Sequence, residues 1–233
     1  EVAVAFHQDS PAFSEVLDNL SADDVTVVPV MASAGYYSDT VLPRELKRNR
    51  RYPQMTVRQT DPVGLHPAVA DMIADRANAL LDAYGLSQNP NSDVTLAIVG
   101  HGTPRHPASR NSTRSLVGPL RAAHSFAEVI ALFLDDEPSV DELLNRATMP
   151  NVLVLPFLIA AGPHATSDIP KRIGMELHDS SGPPFMESIA GRRVLCDVPF
   201  GSHPGMIDLI MDLALPLASQ SSRISVPMQR EVA

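Results

Sequence analysis

Short apolar runs alternate with segments of helical period along the second half of this chain. Thr95–Gly100, Glu128–Leu134, Asn151–Phe157 and Arg193–Val198 are continuously apolar rather than alternating. That pattern predicts strands buried on both faces of a parallel sheet. Ser112–His124, Ser139–Ala147, Ile169–Leu177 and Pro204–Leu215 predict the helices that follow them. Pro170 and Pro204 stand where a first-turn proline is tolerated. Met206, Ile207, Ile210 and Leu213 form a stripe at helical spacing. The first part of the chain has fewer elements of the same kind. Strands are expected at Val2–Phe6, Val25–Val30 and Thr56–Gln59, and helices at Ala12–Leu20, Leu42–Arg48 and Pro67–Tyr84.

The resemblance between the two parts is a repeat. A shift of 127 residues lays Glu1–Leu46 on Glu128–Ile173 without a gap, with 13 identities in 46 positions. Glu1 meets Glu128, Phe6 meets Phe133, Pro11 meets Pro138, Gly35 meets Gly162 and Pro43 meets Pro170. A shift of 137 then lays Pro62, Gly64, His66 and Pro67 on Pro199, Gly201, His203 and Pro204. The larger shift predicts a longer loop in the second repeat around Gly174–Gly191, with turn chemistry at Ser180–Pro184. Val94–Ala127 have no counterpart in the first repeat, so the sequence is expected to open about one strand and one helix late.

This divides the chain into a first repeat (1–86), an Asn/Ser/Pro-rich linker (87–93), a second repeat (94–218) and a polar tail (219–233). The tail is either a frayed end or a link towards a further domain. Strands alternating with helices predict an α/β protein of two tandem lobes. Each lobe would be a parallel sheet flanked by helices, four-stranded in the second lobe and truncated in the first. A pseudo-two-fold pair of this kind would open the carboxyl ends of its strands onto one interlobe cleft.

Composition narrows the function. Eighteen Lys and Arg against 27 Asp and Glu leave a net charge of −9, which argues against a nucleic-acid partner. The lone cysteine, Cys196, excludes a disulfide framework or a Cys-rich metal site within the chain and reads as a core residue. The longest apolar run, Val152–Gly162, is too short to cross a membrane. A soluble, cytoplasmic protein is expected. No nucleophile elbow, P-loop or dinucleotide fingerprint is present.

The candidate chemistry lies with histidines at strand ends. His101 follows the strand ending at Gly100 and is flanked by Gly100 and Gly102, a setting that suits a metal ligand, a general base or a turn histidine. His164 lies in the loop after the third strand of the same repeat, beyond Gly162 and Pro163. Two histidines from different strand ends of one parallel sheet can converge on one divalent ion. The first repeat has Tyr37 at the register of His164. His66 and His203, each before a proline, read as histidines satisfying a turn, although His203 could reach the cleft. His7 is a weak candidate. Asp135, Asp136 and Glu137 either form a solvated acidic turn or supply a carboxylate. Arg105, Arg110 and Arg114 either begin a basic helix or receive an anionic ligand.

Taken in order, these motifs resemble those of the CbiX-type sirohydrochlorin chelatases of the class II chelatase superfamily, in their long tandem-repeat form. The residues that carry the resemblance are Val99–Thr103, Ala131–Asp135 with Pro138, Leu155–Leu158, Gly162–His164, Asp168–Pro170 and Pro199–Pro204. The resemblance implies an enzyme inserting Co²⁺ or Fe²⁺ into sirohydrochlorin or a related precorrin, in cobalamin or siroheme biosynthesis. Ni²⁺ or Zn²⁺ would serve in vitro. It places the metal-binding and catalytic histidines at His101 and His164. Gly102, Thr103, Arg105, Gly162 and His203 would line the site for an anionic tetrapyrrole. The competing expectation is a protein of the same fold that binds metal or tetrapyrrole without catalysis.

Overall fold

The computed structural model describes residues 1–86, 93–104, 106–124, 126–176 and 182–221. Arg105, Leu177, Ser180, most of the expected linker and nearly all of the expected tail lie outside the described residues. In the first repeat, β1 (Asp24–Val27) is followed by α1 (Leu42–Leu46), β2 (Thr56–Gln59) and α2 (Val69–Ala83). In the second, β3 (Val94–Gly100) leads to α3 (Pro107–Ser115), α4 (Val117–His124), β4 (Glu128–Phe133) and α5 (Leu143–Arg146). Then come β5 (Asn151–Pro156), α6 (Ile169–Arg172), β6 (Phe185–Ile189), β7 (Arg192–Cys196) and α7 (Met206–Ser221).

The second sheet has the order β4-β3-β5-β7-β6. Its first four strands are parallel, and β6 pairs antiparallel with β7. Side chains along the central strands alternate between two cores, as a pleated sheet requires. Leu96, Ile98, Leu153, Leu155 and Leu195 face one core, while Ala97, Val99, Val152, Val154, Val194 and Cys196 face the other. Cys196 is buried there, and burial pushes its thiol up to about 12. The unpaired side of β4 is guarded by arginines. Arg121 donates to the Val129 carbonyl at 2.8 Å, which blunts an edge that would otherwise template another strand.

Two expectations fail for identifiable reasons. The longer loop of the second repeat contains a strand, β6, so the second sheet is five-stranded and mixed rather than four-stranded and parallel. Its exposure alternates along Phe185–Ile189, as suits a half-covered edge, and it turns into β7 through Ala190 and Gly191, both at positive φ (49° and 76°). Two such residues make the hairpin turn whose twist matches that of the strands. In the first repeat, Val2–Phe6 is not a strand. Its counterpart β4 pairs only with β3, and β3 is the strand for which the first repeat has no equivalent. Val2 is 92% exposed, Phe6 makes only an isolated bridge to Ala12, and the first sheet among the described residues is the parallel pair β1-β2. Several helices also differ from expectation. The Ala12–Leu20 segment holds a single 3₁₀ turn, and the helix predicted at Ser112–His124 is two helices that begin at Pro107.

The repeat persists in structural detail. The Phe6–Ala12 bridge has its twin in Phe133–Ser139, and the Ser10–Pro11 and Glu137–Pro138 bonds are both cis. The Ser21 and Thr148 amides donate to Glu1 and Glu128 at 3.0 and 2.9 Å. The π-helical turns Tyr37–Val41 and His164–Asp168 coincide residue for residue.

The repeats are joined by exchanged helices. α2, from the first repeat, packs on β5 and α4 of the second, and α7 packs back on β1. Val69, Ile73, Ala77 and Leu81 of α2 thus share one core with Leu96, Ile98, Leu153 and Leu155. A two-pronged ion pair fastens this seam. Arg76 on α2 donates from Nε and Nη2 to Asp197, just past β7, at 2.8 and 2.6 Å. Asp197 is 1% exposed, and its hydrogen bonds hold the Arg76 guanidinium above its ordinary range. Breaking such a pair from one side strands a buried charge. Arg76→Leu is expected to cost about 2–4 kcal/mol in urea unfolding. Arg76→Leu with Asp197→Leu should cost clearly less than the two single changes added together. Additive losses would show that the pair is not coupled.

Candidate metal centre

The turn after β3 is compressed against its neighbours. A side chain at Gly100 would stand 2.2 Å from Thr113 Oγ1. Gly102 adopts φ +70°, where a Cβ would fall 2.6 Å from that of Asp136. Between them His101 is tied by its carbonyl to the end of β4, accepting from the amides of Leu134 and Asp135 at 3.1 and 2.9 Å. The backbone therefore fixes where the imidazole leaves the sheet. Its Nδ1 faces the Gly102 carbonyl at 3.0 Å and Asp135 Oδ2 at 3.4 Å.

His164 arrives from the adjacent strand. β5 lies beside β3, and the chain passes Gly162 into the π-helical turn His164–Asp168. The Gly162 carbonyl accepts from the amides of Ala165 and Thr166, which starts that turn. His164 Nδ1 lies 2.7 Å from Asp168 Oδ2, four residues on. The two imidazoles meet edge to face, with centroids 5.3 Å apart and an interplanar angle of 83°.

Both rings turn the same nitrogen, Nδ1, towards an oxygen. A carbonyl or carboxylate oxygen only accepts, so the proton on each ring sits at Nδ1, and Nε2 carries the lone pair. Among the described residues no group of three or more His, Cys, Asp or Glu side chains has metal-binding geometry. Both imidazoles are about half exposed. A pair of neutral ligands with open positions suits an ion that must arrive and leave.

The remaining candidates separate. Asp136 is turned away from the histidines: Arg110 Nη1 reaches its carboxylate at 3.0 and 3.2 Å. The Glu137 amide, followed by Arg110, holds the Asp136 carboxyl below the usual carboxylate range. Arg110 is thus committed to Asp136. Arg114 donates to the Glu137 carbonyl at 3.0 Å and covers the Phe133 ring at 5.7 Å. Thr103 is half-buried on the loop after His101, and Arg105 lies outside the described residues. His203 stands at the seam of the repeats with Arg76 and Asp197, where burial and then the Arg76 charge push its imidazole below its usual value. Its Nδ1 accepts from the Gly205 amide at 3.1 Å, as His66 Nδ1 does from Ala68. His106, which precedes Pro107, does the same for Ala108 at 3.2 Å, an unforeseen third instance of the turn. His7 packs against Phe13 and Tyr37 in the first repeat. The partners that the sequence did not assign are Asp168 to His164 and Asp135 to His101.

Comparison with known proteins places this geometry. The family model described as CbiX matches residues 1–80 and 95–215, and so covers both repeats. A probable sirohydrochlorin cobaltochelatase of Halobacterium salinarum is 28% identical over 92% of this chain and 79% of its own length. Among solved structures, SirB from Bacillus subtilis with Fe³⁺ superposes with a TM-score of 0.75 at 16% identity, over 95% of this chain and 84% of SirB. A multi-domain protein of Deinococcus radiodurans with structural similarity to chelatases superposes at 0.67 and 27% identity. That alignment covers 91% of this chain, which spans 45% of the Deinococcus protein. With the family model matching in two segments, and the repeats alike down to their bridges and turns, the chain belongs to the CbiX family.

Proposed function

We propose that this chain is a tetrapyrrole metal chelatase that takes Co²⁺ or Fe²⁺ between His101 and His164 and inserts it into sirohydrochlorin or a close relative. The observation that carries this reading is the convergence of two half-exposed imidazoles, each with Nδ1 committed to an oxygen and Nε2 left to donate a lone pair. Two Nε2 ligands hold a divalent ion without caging it as thiolates would. The relatives support both metals, one being named for cobalt and another solved with iron. The reading places the reaction in the cytoplasm. Among the described residues no helix is long and apolar enough to cross a membrane.

Insertion exchanges one divalent ion for two pyrrole protons, so charge balances when both protons are accepted. As the ion passes from Nε2 to the macrocycle, each imidazole regains a free lone pair and becomes a base. The Asp135 and Asp168 carboxylates lie beside the Nδ1 protons, where they orient each ring and face the positive charge it takes up. Gly162, where a Cβ would meet nothing within 4 Å, leaves room for a planar ligand to approach, whereas Gly102 serves the tight packing of its own turn against Asp136 and Phe133. Thr103, on the loop after His101, and Arg105, four residues beyond His101 in sequence, are the polar groups this reading assigns to substrate carboxylates. His203, committed to its turn, would act only from the seam between the repeats.

Metallation of sirohydrochlorin by Co²⁺, followed by its absorbance change, tests the reading. His101→Ala and His164→Ala should each lower the rate by about 100-fold or more, with unfolding midpoints unchanged because both rings are half exposed. A rate no greater than that of the uncatalysed reaction, with tetrapyrrole still bound, would favour the non-catalytic binder. Asp168→Ala is expected to weaken Co²⁺ binding about 10-fold while leaving the KM for tetrapyrrole in place. Asp168→Asn, which keeps an acceptor for Nδ1, should lie between. Equal Co²⁺ affinity in all three proteins would remove Asp168 from the site.

A further inference from the structure

The first lobe has abandoned metal chemistry at the register where the second lobe keeps it. Tyr37 replaces His164, and Val41, 2% exposed, replaces the carboxylate of Asp168, although both repeats form the same π-helical turn there. What stands in their place is a cluster of rings. Tyr37 meets His7 at 5.0 Å and Tyr36 at 5.7 Å, and His7 stacks on Phe13 at 6.0 Å. Tyr36 and Tyr37 are nevertheless 57% and 51% exposed.

These exposed rings are held on a braced loop. Ser38, 1% exposed, accepts at Oγ from the Gly35 amide at 2.9 Å and donates to Asp39 at 2.6 Å. Gln59 at the end of β2 donates to the Ser38 carbonyl at 2.9 Å. The loop also abuts the segment that leaves the metal centre. A side chain at Gly35 would come within 3.9 Å of Ala108 and 4.0 Å of His106, five residues beyond His101. Large rings that are both exposed and pre-positioned lose little entropy on binding, which is why such residues carry recognition surfaces.

We infer that Tyr36 and Tyr37, backed by His7 and Phe13, form a stacking wall for the conjugated face of the tetrapyrrole. This rests on the chelatase reading and adds the surface that holds the macrocycle beside the histidine pair. The wall binds free base and transition state alike, so it governs KM rather than kcat. It also gives the first lobe a part in the reaction, with one repeat holding the ion and the other holding the ring.

The test titrates metal-free sirohydrochlorin into the protein and reads the macrocycle absorbance and the quenching of tyrosine fluorescence. The chain has no tryptophan and four tyrosines, two of which are in the wall, so quenching reports on it directly. Tyr36→Ala and Tyr37→Ala should each raise Kd roughly 10-fold, with Tyr→Phe variants within about 2-fold of the parent. KM for tetrapyrrole should rise in parallel while kcat, Co²⁺ binding measured without tetrapyrrole, and the unfolding midpoint are retained. Unchanged Kd in the double Tyr36→Ala/Tyr37→Ala variant, with the parent still metallating, would overturn the wall alone. A parent that binds no sirohydrochlorin would overturn the wall and the chelatase reading together.

Discussion

A parallel sheet needs cover on both faces, and here each repeat supplies part of the other's cover. α2 belongs to the first repeat by sequence and to the second by packing, because its apolar stripe closes the core over β3 and β5. α7 returns the exchange on β1. The molecule is therefore not two domains on a string. The Arg76–Asp197 pair sits where this exchange is tightest, and its geometry penalises sliding of one repeat past the other. Whatever is held at the end of one sheet keeps its distance from the loops of the other because the helices are shared.

The exchange also shows where the first lobe is unbalanced. At the equivalent register, Ala70 and Ala74 of α2 are buried, while Ile207 and Met211 of α7 are exposed. α2 has α4 to pack against, and the first repeat has no equivalent of α4 within these 233 residues. Val2–Phe6 likewise has no strand partner among the described residues. A strand's identity depends on its neighbour as much as on its residues, so Val2–Phe6 reads as a strand in sequence and is not one in the structure.

That dependence separates what was legible from what was not. The buried strands of the second repeat were legible because burial on both faces leaves only continuous apolar runs, with end-points wrong by a residue or two. β6 was not, since an edge strand of five residues beside prolines and glycines resembles a loop until β7 pairs with it. The histidine pair was expected because both residues follow strand ends of one parallel sheet and fall on the motifs of the family resemblance; position alone left a turn histidine and a loop histidine open. Its supporting carboxylates were not: Asp168 meets His164 through a π-helical turn, a geometry with no simple sequence signature. The choice between Asp135 and Asp136 was equally hidden, because it turns on Arg110 arriving from another helix. The His-Pro turns at His66 and His203 are legible as backbone satisfaction, and His106 before Pro107 carries the same signature.

A chelatase faces opposing demands, since it must bind a metal ion well enough to dehydrate it and weakly enough to surrender it. Two identical half-sites would give four imidazoles in a pseudo-symmetric cleft, a ligand set that retains the ion. Divergence of the repeats avoids that outcome. The second lobe keeps two nitrogen donors whose tautomer is fixed by an oxygen behind each ring. The first keeps the loop that presented a donor, down to its π-helical turn, and mounts aromatic surface on it. The net charge of −9 fits the same division. An acidic surface does not draw a polycarboxylate from a distance, so the macrocycle is captured at close range, by ring faces and local hydrogen bonds rather than by the field of the whole molecule.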